Sequence, residues 1–180
     1  RPISAKALVQ ALPSTTRRIA VLDRCKEPGS QGEPLYLELL AAIHDHWPSQ
    51  PHPQLVAGRF GLASKEFTPA MVKAVLDNLS LTTPKHHFTI GIVDDVTHHS
   101  LFFDPCFELE HEAGLRAIFV GLGSDGTVGA TKNTMKIVGD PTGLHGPGYF
   151  VYDSNKAASV PVTHLRFSPQ PIRQTHHIRP

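Results

Sequence analysis

The chain has 180 residues, 40% hydrophobic and 18% charged, with a formal net charge of +1, ordinary composition for one large globular domain or two small ones. Near-neutral charge excludes a nucleic-acid surface built on a basic patch, and no apolar run approaches the ~20 residues needed to span a bilayer as a helix. The two cysteines, Cys25 and Cys106, form neither a disulfide framework nor a C-x-x-C pair, which fits a reducing cytosol.

In chain order, Ser4 is an N-cap for a short helix over Ala5–Leu12 that Pro13 stops. Arg18–Asp23 reads as a buried, parallel-type strand. After a loop, Glu33-Pro34 opens a helix with Leu35, Leu39, Ala42 and Ile43 at helical spacing, ending near His46. Gln54–Gly58 is the next strand. Thr68-Pro69 marks the start of a helix over Ala70–Leu79 with a stripe of Val72, Val75, Leu76 and Leu79. Phe88–Val93 is a further strand. Such alternation predicts an α/β fold with an open sheet and crossover helices.

From Asp94 to Gly114 the rhythm breaks into a stretch dense in carboxylates and histidines, with Pro105, read as a connection between domains. A second α/β unit then follows. Arg116–Val120 is a strand, a glycine-rich loop leads into a helix reaching Gly139, and Tyr149–Asp153 and Val160–Phe167 are strands, giving one βαβ unit plus a strand. The opening residues, Arg1-Pro2-Ile3-Ser4, sit inside a strand-to-helix junction, and the end lacks a closing helix. Both suggest a piece of a longer polypeptide.

The glycine loop, Gly121-Leu122-Gly123-Ser124-Asp125-Gly126-Thr127-Val128-Gly129, is the clearest chemical signal. Glycines let the backbone approach a phosphate, and the free N–H groups of a first helical turn point at it. The spacing satisfies G-x-G-x-x-G. A nicotinamide site needs an acidic residue after the second strand, where Asp153 stands, while Lys156 just beyond favours an extra ribose phosphate, as in coenzyme A or a phosphorylated nicotinamide cofactor. Glycines used only for packing are the plainer alternative. Ser124-Asp125-Gly126 with Asn155 is a poor match to a thiamine diphosphate motif.

Other chemistry is weakly signalled. The pairs His86-His87, His98-His99 and His176-His177 diverge in regular structure, and His44 and His46 are two apart on a helix. No metal site and no catalytic residue is assigned. Ser64, Ser100 and Ser124 lack a nucleophile-elbow context. Arg17, Arg18, Arg166 and Arg173 read as solvated charges.

Several blocks together resemble the pyruvate:ferredoxin (flavodoxin) oxidoreductase family. They are Arg1-Pro2-x-Ser4, Ala20-Val21-Leu22-Asp23-Arg24-x-Lys26-Glu27-Pro28-Gly29, Gly32-Glu33-Pro34-Leu35-Tyr36 and Gly58-Arg59-Phe60-Gly61-Leu62-x-Ser64-Lys65-Glu66-Phe67-Thr68-Pro69. To these are added His87-Phe88-Thr89-Ile90-Gly91-Ile92-x-Asp94-Asp95-Val96-Thr97-His98, the glycine loop, Gly148-Tyr149-Phe150-x-Tyr152-Asp153-Ser154 and His164-Leu165-Arg166-Phe167. The resemblance implies a transketolase C-terminal-like α/β domain over residues 1–100, a linker over 101–115, and from 116 the truncated start of a coenzyme A-binding domain. It implies coenzyme A held through Gly123, Ser124, Asp125, Gly126, Thr127 and Val128, with Lys156 on the phosphates and Asn155 where the family usually has another lysine. It further implies that the full-length enzyme, a homodimer, decarboxylates pyruvate on thiamine diphosphate and Mg2+. Electrons then pass through [4Fe–4S] clusters to ferredoxin or flavodoxin, with those sites lying outside this chain. A non-catalytic nucleotide-binding module and an NAD(P)-dependent dehydrogenase remain the alternatives.

Overall fold

The computed structural model describes residues 3–62, 65–109, 114–122, 126–146, 148–151, 160 and 162–178. They divide into two compact units, Arg1–Glu108 and Leu109–Pro180.

The first unit runs α1 (Ala5–Ala11), β1 (Arg18–Asp23), α2 (Pro34–His46), β2 (Gln54–Phe60), α3 (Pro69–Ser80) and β3 (Phe88–Ile90). The strands form a parallel sheet in the order β1-β2-β3, with Arg18 opposite Gln54, Asp23 opposite Arg59 and Gly58 opposite Phe88. Side chains alternate across a sheet, so neighbouring residues join different cores. Val21 and Ala57 pack with Val9, Tyr36, Leu39 and Ile43 of α1 and α2. Ala20, Leu22 and Val56 pack with Ala74 and Val75 of α3 and with Phe88 and Ile90. The result is the predicted α/β architecture, with helices on both faces.

Helix starts follow the expected chemistry. The Ser4 hydroxyl accepts from Ala7 N–H and the Thr68 hydroxyl from Met71 N–H, each at 3.4 Å, and Pro34 and Pro69 occupy first-turn positions where no N–H is required. The buried stripe of α3 matches the expected one at Val75, which is buried, and Leu79, which packs against the core, and differs elsewhere. Ala70, Ala74, Val75 and Asn78 face inward, while Val72 and Leu76 are exposed. Two i, i+4 rows compete on this helix, and tertiary bonding selects the smaller one. Asn78 is held inward because its amide accepts from Lys85 N–H at 2.9 Å and donates to Lys85 C=O at 3.0 Å.

β3 is shorter than the apolar run suggests. Gly91 turns the chain at φ +69, a conformation that favours glycine. The loop beyond closes on Ser100, whose hydroxyl donates to Ile92 C=O at 3.0 Å and accepts from Asp94 N–H at 2.7 Å. Leu101 and Phe103 then pack against the core of β2, α3 and β3. Residues 101–108, which the sequence places in the connection, therefore lie within the first unit. In central strand β2, a Cβ on Gly58 would stand 2.4 Å from the buried Phe88 ring.

The second unit runs β4 (Leu115–Val120), α4 (Thr127–Thr142), β5 (Gly148–Val151) and β6 (Val162–Phe167). Its sheet order is β4-β6-β5, with β6 antiparallel to both neighbours. The expected strand–helix–strand crossover is present, but the last strand inserts between the other two rather than adding at an edge. Helix α4 continues past Gly139, carrying Pro141 in its last turn, and Gly143 at φ +65 ends it by donating its N–H to Gly139 C=O at 3.0 Å. Thr163, Leu165 and Phe167 are buried on one side of β6. Across the other side the C-terminal segment returns, with His177 stacked on His164 at 4.6 Å and Arg166 donating to His176 C=O at 2.7 Å.

Candidate functional site: the glycine turn at the start of α4

β4 delivers the chain to Gly121, which is buried, and Leu122, which is exposed. Gly126 is the N-cap of α4 at φ +87, ψ 7, a left-handed conformation costing an L-residue roughly 1–2 kcal/mol. Having no side chain, Gly126 leaves the first-turn N–H groups of Thr127, Val128 and Gly129 without an N-cap oxygen from its own position, and no acidic residue occupies that turn. The other three helix starts are served by side chains: Ser4, the Asp23 carboxylate and Thr68. Gly126 is exposed, with Thr127 and Val128 half-buried behind it. Thr131 anchors this turn: fully buried, its hydroxyl donates to Thr127 C=O at 2.8 Å. A rigid helix start with a positive dipole end suits an anion, above all a phosphate. Gly126, Thr127 and Val128 are thus brought together. Gly123, Ser124, Asp125, Asp153, Asn155 and Lys156 lie outside the described residues.

Sheet order bears on the ligand. In a dinucleotide fold the strands flanking the first glycine turn are parallel neighbours, and the ribose-binding acid follows the second. Here the antiparallel β6 separates β4 from β5. The G-x-G-x-x-G match therefore does not sit in a Rossmann unit, which removes the structural basis of the nicotinamide reading.

In the first unit, the blocks at the carboxyl ends of the parallel strands brace the fold. Both oxygens of the buried Asp23 carboxylate accept from the start of α2, from Leu35 N–H at 2.9 Å and Tyr36 N–H at 3.0 Å. Arg59 pairs with the buried Glu33 at 2.9 Å. Arg24 donates to Gly61 C=O at 2.7 Å and Lys65 C=O at 3.2 Å. Arg18, read as a solvated charge, instead donates to the carbonyls of Leu79 and Leu81 at the C-terminal end of α3, and Arg166 is likewise engaged. Lys65 and Leu79 lie far from these arginines in sequence, so nothing local signals the contacts. Asp94 closes a turn: the Thr97 hydroxyl, then the backbone N–H groups of Thr97 and Val96, hold its carboxyl far below the usual range.

His86 and His87 do not diverge as expected. His87 adopts φ +54, which brings the two rings to 4.0 Å and both against Tyr36, at 5.5 and 5.9 Å. His86 Nδ1 accepts from Ala57 N–H at 3.1 Å, capping β2 where β3 has not yet begun and requiring Nδ1 to be deprotonated. Burial, then the neighbouring His87, lowers the His86 pKa. The unfolded chain therefore takes up this proton first as pH falls through about 6.5. Stability of the first unit is expected to be full above that pH and to decline below it, levelling off once folded His86 also protonates. Urea midpoints between pH 5 and 8 check this. His86→Asn, whose side-chain carbonyl can accept from Ala57 N–H at any pH, should flatten that part of the profile.

Among the described residues no three or more His, Cys, Asp or Glu side chains gather as a metal group, and none of the helices is long and apolar enough to cross a membrane. Neither Cys25 nor Cys106 is in a disulfide.

Comparison with known proteins gives the context for the glycine turn. Residues 116–180 match the family profile for pyruvate ferredoxin/flavodoxin oxidoreductase. The chain is 57% identical to the pyruvate-flavodoxin oxidoreductase of Nostoc sp., over 99% of its own length and 16% of that protein's. It belongs to the pyruvate ferredoxin/flavodoxin oxidoreductase family. The pyruvate:ferredoxin oxidoreductase of Moorella thermoacetica is 52% identical over 99% of this chain and 15% of its own length. The pyruvate dehydrogenase [NADP(+)] of Cryptosporidium parvum is 48% identical over 98% and 9%. The chain thus spans about 15% of the length of the oxidoreductases it matches. Similarity reaches across both units, and the family profile falls on the one that carries the glycine turn.

Proposed function

We propose that this chain is a segment of a pyruvate:ferredoxin/flavodoxin oxidoreductase and that the glycine turn of its second unit binds the phosphates of coenzyme A. The observation that carries the reading is the start of α4, where the N-cap, Gly126, lies in the left-handed region and brings no side chain of its own. Gly126, Thr127 and Val128 offer backbone N–H groups to a phosphate, Gly123, Ser124 and Asp125 complete the loop, and Lys156 adds a cation. Coenzyme A, when bound, supplies the thiol that accepts the acetyl group. What the chain contributes is placement, since N–H groups fixed on a rigid helix hold a phosphate without reorganising. The buried Thr131 hydroxyl on Thr127 C=O keeps that terminus in register.

Thiamine diphosphate, Mg2+ and the [4Fe–4S] clusters belong, in this proposal, to parts of the enzyme outside this chain. The 180 residues alone are then inactive, and the intact enzyme is a cytoplasmic homodimer passing electrons to ferredoxin or flavodoxin. Steady-state kinetics of the full-length enzyme test the site. Lys156→Ala is expected to raise the KM for coenzyme A roughly tenfold, the worth of one charge-assisted phosphate contact, with the KM for pyruvate nearly unchanged. An unaltered coenzyme A dependence removes Lys156 from the site.

A further inference from the structure

Exposed aliphatic residues gather beside the glycine turn. β4 and β6 pair as far as Val120 opposite Val162, the rung that adjoins the buried Gly121. Val120 is 66% exposed, Leu122, two residues further on, 81%, and Val160, two residues before Val162, 46%. Surface aliphatics scattered singly need no explanation, whereas a group of them at one end of a sheet marks a contact.

Register and cover account for the group. Residues directly opposite in an antiparallel pair place their side chains on one face, so Val120 and Val162 share the face of Ile118 and its partner His164, two residues back along the ladder. The C-terminal segment roofs that neighbouring pair, with His177 stacked on His164 at 4.6 Å. The roof does not reach Val120, as its exposure shows. On the open side lies the phosphate site proposed above. Leu122 and Gly126 are four residues apart, at most about 14 Å of chain. A ligand whose phosphates sit on the α4 terminus and which carries a long, partly apolar arm can cover these residues. A bare nucleotide would leave them in water.

We propose that Val120, Leu122 and Val160 form an apolar shelf for the pantetheine arm of coenzyme A, through which this unit selects the arm-bearing coenzyme over a bare nucleotide. This rests on the coenzyme A reading of the glycine turn. The test is calorimetric titration of the full-length enzyme with coenzyme A and with adenosine 3′,5′-bisphosphate, which keeps the base and the ribose phosphates but lacks the arm. Leu122→Ser and Val160→Ser are each expected to weaken coenzyme A binding about five- to tenfold, the worth of one aliphatic contact. Affinity for the bisphosphate and the ligand-free thermal midpoint should stay unchanged. Leu122→Met, still apolar, should bind coenzyme A as the wild type does. Coenzyme A affinity untouched by both serine variants overturns the proposal. So does an equal loss for both ligands, which assigns the shelf to the base or to the loop itself. A lowered ligand-free midpoint also overturns it, because another part of the enzyme then covers the shelf. Failure of the coenzyme A reading shows itself differently, in a Gly126→Val variant that binds coenzyme A as tightly as wild type, and a wild-type enzyme that binds no coenzyme A removes both.

Discussion

Replacing Asp23 by alanine is expected to cost the first unit about 3 kcal/mol, the largest loss we foresee from a single side chain. Both carboxylate oxygens are engaged, by Leu35 N–H and Tyr36 N–H, and hydrogen bonds to a charged group contribute about 1.5–3 kcal/mol each. Helix α2 has no alternative cap, because the Glu33 side chain makes no capping bond and instead pairs with Arg59. Alanine would leave two N–H groups unsatisfied in a half-buried to buried setting, next to Tyr36 and Leu39 of the core. Urea denaturation, followed by circular dichroism, measures the loss. Asp23→Asn, which retains one acceptor oxygen, should fall between wild type and alanine. A midpoint unchanged in the alanine variant would mean that the strand-to-helix brace is redundant.

A second large effect is expected on binding. Gly126→Val in the full-length enzyme should weaken coenzyme A binding by more than about tenfold, with only a modest fall in stability. The backbone at φ +87 strongly disfavours a β-branched residue, at roughly 1–2 kcal/mol or more. A Cβ at this position meets nothing within 4 Å, so the damage comes from backbone reorientation and from bulk in the space a phosphate would occupy. Gly129→Ala is the matched control. It too meets open space, and no positive φ is recorded for it. A helical alanine replaces glycine there with a gain of up to about 1 kcal/mol, and coenzyme A binding should persist. Equal loss in both variants would point to a general disturbance of α4, and retention in both would detach the turn from the ligand. Isothermal titration with coenzyme A reads both.

These two sites differ in how visible they were before folding. The glycine turn is local: a strand, a nine-residue glycine-rich stretch and a helix follow one another directly, and backbone freedom at Gly126 is a property of glycine itself. The brace around Asp23 is visible only as a strand end. Its partners lie twelve and thirteen residues on, beyond a loop whose path no local preference sets. The same holds for Arg18, which reaches carbonyls more than sixty residues away, and for the His86–His87 pair, whose convergence depends on one positive φ at His87.

Secondary structure and the parallel order of the first sheet were determined by the sequence by itself. Short apolar runs alternate with capped, proline-started helices, and that pattern has few compact solutions. The anion site proposed at the α4 terminus was also a matter of local chemistry. Only the tertiary structure decided three further matters. It selected the inward face of α3, where Asn78 is bonded to Lys85 of the loop before β3 while Val72 and Leu76 stay exposed. It placed β6 between β4 and β5, a choice of hydrogen-bonding partner that strand propensity does not encode, and so took the glycine turn out of a dinucleotide fold. It also brought Val160 to the end of the sheet that carries Val120 and Leu122, since the β4–β6 register, rather than spacing along the chain, sets their proximity.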